Sequence, residues 1–95
     1  MIKPTVGRKV WYWPVGEEHI AQVDKFTPCD ATVLYAFGDT GVNLMIVDHK
    51  GGQHFKHSAY LWQGAVEDRP MSSCATWMPY QAAQAKKHET DTAAS

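Results

Sequence analysis

Residues 31–61 read ATVLYAFGDTGVNLMIVDHKGGQHFKHSAYL, and the fold class turns on this stretch. Ala31 to Phe37 is rich in β-branched and aromatic residues and stops at Gly38-Asp39-Thr40-Gly41, residue types that suit a short hairpin loop. Val42 to Asp48 alternates, with Val42, Leu44 and Ile46 on one face and Asn43, Met45 and Val47 on the other. The run breaks at His49-Lys50-Gly51-Gly52, where paired glycines permit the positive φ angles of a tight turn, and Gln53 to Leu61 returns as a third strand. Three strands joined by two short turns predict an antiparallel meander.

Working outward, Arg8 to Trp13 (RKVWYW) is a strand closed by Pro14, which has no N–H to give a sheet ladder. Val10 and Tyr12 share one face and Trp11 and Trp13 the other, so one pair faces the core. Ile2 to Gly7 is an irregular lead-in containing Pro4. Residues 15–30 alternate too imperfectly to place: they suit an edge strand or one limb of a long mobile hairpin, with Thr27-Pro28-Cys29-Asp30 a turn by composition. Trp62 to Ser73 reads as loop, Cys74 to Met78 as a short last strand before Pro79, Gln81 to Lys87 as a weak helical turn, and His88 to Ser95 as a frayed tail. The expectation is an all-β, small antiparallel SH3-like barrel of four to five strands, partly open, with a long first loop and a short, weakly ordered C-terminal segment. An OB-like barrel fits less well, because its usual inter-strand helix has no candidate. Residues 1–80 then form one domain and 81–95 the appended segment.

Composition narrows the function classes. Ninety-five residues bury a thin core, which favours association with a second copy. Nine Lys plus Arg stand against ten Asp plus Glu, so the strong positive field that drives non-specific nucleic-acid binding is missing from the sequence. No run reaches the roughly 18 apolar residues of a membrane span, and the N-terminal residues lack the apolar core of a secretory signal. Cys29 and Cys74 lie far apart and read as reduced thiols of a cytosolic protein.

Several blocks together resemble a known group. Ile2-Lys3-Pro4-Thr5-Val6-Gly7-Arg8, Val10-Trp11-Tyr12-Trp13-Pro14, Val42-Asn43-Leu44 with Val47-Asp48, and Trp77-Met78-Pro79-Tyr80-Gln81 look like a family of small uncharacterised proteins encoded by tailed bacteriophages and prophages. The match covers about a third of the chain in conserved order and departs from the pattern in residues 15–30, where this chain is longer. The resemblance implies a phage genome and a bacterial host cytoplasm, and it carries no catalytic residue with it.

Chemistry is sparse in the linear sequence. His49, His54 and His57 invite a metal, but on a strand His54 and His57 point to opposite faces, so the reading is of solvent-facing histidines beside a turn. No nucleophile elbow, phosphate loop or HExxH motif occurs, and the pairs Glu17-Glu18 and Glu67-Asp68 read as loop-solvating charges. The expectation is a protein that is not an enzyme and needs no metal or cofactor. Four Trp and four Tyr are the functional lead. Tyr12 and Trp77 are expected in the core, while Trp11, Trp13 and Tyr80, helped by Arg8 and Asn43, are expected to present a binding surface where the barrel ends meet. That points first to a non-catalytic binding protein, an accessory or counter-defence factor that engages a host protein or sequesters a small nucleotide-type ligand. The alternatives are a virion structural or assembly protein and a single-stranded nucleic-acid-binding barrel. A homo-oligomer, most simply a dimer, is expected from the surplus of aromatics.

Overall fold

The computed structural model describes residues 1–81. Strand β1 spans Lys9–Trp13, β2 Cys29–Ala36, β3 Gly41–Val47, β4 Gln53–Trp62 and β5 Cys74–Thr76, with a 3₁₀ turn at Val66–Asp68. Alternation in the sequence becomes alternation in burial. Along β3, Val42, Leu44 and Ile46 are fully buried while their neighbours are partly exposed. On β1 the inward pair is Val10 and Tyr12, and these meet Ala31, Val33 and Leu61 in the core.

The strands close into a barrel in the order β1-β2-β3-β4-β5. The architecture is a small all-β barrel of the SH3-like kind, closed where the sequence suggested a partial opening. It is also not wholly antiparallel. β5 pairs with β1 antiparallel but with β4 in parallel, through Leu61↔Ala75 and Trp62↔Thr76. The reason is that residues 63–73 carry the chain back along the barrel, so β5 runs in the direction of β4 and fills the gap beside β1. Cys29 and Asp30, expected in a turn, already belong to β2, because Tyr12 and Trp11 of β1 pair with them.

The β3–β4 turn is built around one carboxylate. Asp48 Oδ1 accepts from the N–H groups of Lys50 at 2.9 Å and Gly52 at 2.8 Å. Gly51 has φ of 86°, and a Cβ on Gly52 would lie 2.7 Å from Asp48 Oδ2, so the paired glycines are a requirement of this turn. Two bulges bend the meander, one between Val33 and Tyr35 and one between Val42 and Leu44. At the second, Ser58 adopts a positive φ of 54° and its N–H donates to Asn43 Oδ1 at 2.9 Å.

At the opposite end of the barrel, the amide of Gln63 uses all its hydrogen-bonding capacity. Its oxygen accepts from Ile2 N–H and Trp77 Nε1, and its nitrogen donates to the carbonyls of Ile2 and Asp39. Through that amide the N-terminal lead-in, the β2–β3 turn and the indole after β5 are joined. Beyond β5, residues 79–81 are helical; Gln81 accepts from Met78 N–H and donates to the Lys9 carbonyl. The remainder of the helical turn expected over 81–87 and the tail from 88 lie outside the described residues.

Tyr12 is fully buried and Trp77 nearly so, as expected from the sequence. Trp77→Ala is expected to cost about 3–5 kcal/mol in urea unfolding, whereas truncating the half-buried Trp11 should cost clearly less. Equal losses would contradict this packing.

Candidate binding groove

Residues 14–28 form a long irregular loop with neither an edge strand nor a hairpin limb. It is fastened to the barrel by two carboxylates. Glu17 Oε2 accepts from the buried Tyr12 hydroxyl at 2.6 Å and from Ser73 Oγ at 2.9 Å, and Glu17 Oε1 pairs with Lys56 Nζ at 2.7 Å. Ser73 Oγ in turn accepts from Val15 N–H. Further along, Ile20 is buried against the core, and Asp48 Oδ2 accepts from Ala21 N–H at 3.2 Å and pairs with His54 Nε2 at 2.7 Å. Glu17, His49 and His54 are not the solvated surface groups that the sequence suggested, whereas His57 is exposed as expected. His49 Nδ1 accepts from Val23 N–H at 2.7 Å while Nε2 faces the Pro28 carbonyl at 3.1 Å, an arrangement that requires the tautomer protonated at Nε2. His54 turns to Asp48, whereas His57 packs on Phe55 on the other side of the strand.

Electrostatics follow from these contacts. Burial raises the Glu17 pKa, but the hydrogen bonds from Lys56, Tyr12 and Ser73 outweigh it and leave the carboxyl below its ordinary value. Asp48 is driven well below the carboxylate range, first by His54 and then by the Gly52 N–H, against a smaller opposing effect of burial. The Tyr12 hydroxyl is pushed up by burial and by its bond to Glu17. Cys29 and Cys74 are buried free thiols with pKa raised, in both cases mainly by burial.

The fastened loop leaves an open groove along the end of β1. It consists of two adjoining hollows of about 500 Å³ and 390 Å³ that share Pro14, Val15, Gln22 and Lys25. The first continues along Gly16, Glu17, Glu18 and Ile20, and the second is walled by Trp13, Glu67, Arg69, Pro70 and Met71. The Arg69 guanidinium lies 3.5 Å from the centre of the Trp13 ring while its Nη1 donates to the Val66 carbonyl.

The residues expected to form one binding surface do not come together. Trp13 lines the groove, yet it is only 9% exposed, not outward-facing, because Arg69 covers one face and its Nε1 donates to the buried Thr76 Oγ1 at 2.9 Å. Trp11 is half-buried and meets Trp13 edge to face. Arg8 sits at the other end of β1, with its guanidinium 5.9 Å from the Trp77 ring, and Tyr80 is exposed beyond β5 at that same end. Asn43 is on β3, committed to the Ser58 bulge. The aromatic segments are neighbours along paired strands, Trp11 opposite Thr76 and Trp13 opposite Cys74, but Trp13 and Tyr80 lie at opposite barrel ends because those strands are antiparallel. Sequence reasoning missed Val15, Arg69 and Met71. The only available signal was their place in the two long loops, and only the fold makes those loops face each other. The chain matches no protein-family model, no curated protein and no solved structure.

The carboxylates predict the acid response. Each has a folded-state pKa below its unfolded value, so its contribution is complete above about pH 5 and is lost as pH falls through and below about 4. The thermal midpoint should therefore drop on acidification across this range, and Asp48→Asn should lower the neutral-pH midpoint while flattening the acid dependence. An unchanged acid slope in that variant would show that Asp48 does not fasten the loop as described.

Proposed function

We propose that the protein is a non-catalytic, phage-encoded binding module that engages an extended segment of a host protein in the groove beside Trp13, acting in the bacterial cytoplasm as an accessory or counter-defence factor. The observation that carries this reading is the make-up of the groove. Val15 and Met71 are 52% and 93% exposed on its walls, although both are apolar, and Lys25, Arg69, Glu18 and Glu67 surround them. Exposed apolar side chains beside a held aromatic release water when covered, and a rim of mixed charge sets the orientation of what covers them. An open trough suits an extended polypeptide, since small-molecule sites enclose most of their ligand. The near-neutral net charge favours a protein over a nucleic acid. The phage resemblance of the sequence blocks supports the origin and compartment.

A photo-crosslinking residue at position 71 or 15 of the full chain, expressed in phage-infected bacteria, is expected to trap a discrete adduct that Lys25→Glu abolishes, while the same residue at position 80 traps none. Identical diffuse labelling from all three positions would reject the groove. A rise in melting temperature with a mononucleotide or cyclic nucleotide, lost in Lys25→Glu, would instead assign the groove to the nucleotide-type ligand.

A further inference from the structure

The groove leaves most of the aromatic surface unused. The outward side of β2, β3 and β4, with the residue just past β2, carries Tyr35, Phe37, Met45, Phe55, Tyr60 and Trp62. Tyr35 and Phe37 are 55% and 60% exposed, and Phe55 and Tyr60 are 51% and 44% exposed. Their rings already touch in pairs, Tyr35 on Phe37 at 5.0 Å, Phe55 on His57 at 4.3 Å and Tyr60 on Trp62 at 6.4 Å between centroids. Met45 lies between Thr32 of β2 and Phe55 of β4 in the ladder, so the three strands form one continuous face.

Charge is distributed unevenly around the barrel. Gly41–Val47 contains no charged residue, and the outward side chains of β4 are uncharged apart from the titratable His57. Asp30, at one corner, is paired with Lys9 at 3.0 Å. Exposed charges instead mark the two ends of the face, Asp39 in the β2–β3 turn and Lys50 in the β3–β4 turn, at similar separations on either side of Leu44.

We propose that this face binds a second copy of the chain, as a face-to-face dimer whose twofold axis crosses β3 near its middle. An isologous contact sets every patch against its own copy, so a face can serve itself only if it places no like charges together. This face meets that condition along its length. A twofold axis perpendicular to the strands also brings Asp39 of each copy to Lys50 of the other, whereas an axis along the strands would set Asp39 against Asp39 and Lys50 against Lys50. The exposed rings stand on the outward side of the sheet, so association through this face is between side chains, as in packed sheets. The dimer shares no residue with the groove, and the two assignments fail separately.

Light scattering and sedimentation of the full chain at micromolar concentrations test it. The expected mass is about twice the 10.6 kDa of one chain. Phe55→Glu, and independently Tyr60→Lys, should return it to a monomer with unchanged circular dichroism, raising the dissociation constant by about 30-fold or more. Asp39→Lys alone should weaken the dimer, and Asp39→Lys with Lys50→Asp should restore it. A wild-type mass of one chain would overturn the proposal and leave the face for a different polypeptide. A dimer that survives both face substitutions, a larger assembly, or a dimer indifferent to Asp39→Lys would also overturn it.

Discussion

Cys74–Thr76 supplies only three residues of strand, yet the ladders of β1 and β4 both finish on it. Without this strand, the barrel would stand open between Trp11–Trp13 and Leu61–Trp62, with unpaired N–H and carbonyl groups that must otherwise find water or another chain. Its side chains extend the closure beyond the backbone. Thr76 holds the Trp13 indole, and the next residue, Trp77, enters the core and meets the Gln63 amide that also holds Ile2 and the Asp39 carbonyl. A short strand can carry this role because all three of its residues are buried and it pairs with β1 on one side and β4 on the other.

The second constraint concerns backbone polar groups where no strand exists. Residues 14–28 cannot satisfy themselves through a ladder, and Glu17 and Asp48 supply part of what a ladder would have supplied, with His49 adding two further contacts. A carboxylate accepts several hydrogen bonds at once and is strongest when the donors are charged or fixed. Here Glu17 gathers a phenol, a hydroxyl and an ammonium from three parts of the chain, and Asp48 gathers three backbone N–H groups and an imidazole. The loop is thereby held over the end of β1, and the groove exists because the loop is held there.

These two constraints sort the surface into two sides. Glu17, Asp48, His54 and Lys56 fasten the long loop, and Glu18, Lys25, Glu67 and Arg69 edge the groove. The side of β2–β4 keeps its outward rings. The bulge between Val42 and Leu44 has a structural partner, Asn43, which accepts from Ser58 N–H, so the uncharged face is a formed surface with its own geometry.

The meander was legible in residues 31–61 because a strand with one buried face writes its period into the sequence, and Val42, Leu44 and Ile46 keep that period without interruption. Tyr12 and Trp77 were legible as core for the same reason of alternation and position. Trp13 was not: its burial comes from Arg69 and Thr76, residues more than fifty positions away, and an outward strand position says nothing about what later covers it. Nor was the role of Glu17, since adjacent acidic residues in a loop look alike whether they face water or a buried phenol. By itself the sequence determined which strands form and which of their faces turn inward, because local periodicity and turn chemistry act over a few residues. The tertiary structure alone decided the closure by a parallel last strand, the fastening of the long loop and the groove beside Trp13, because each depends on hydrogen bonds and packing between segments that meet only after the barrel has folded.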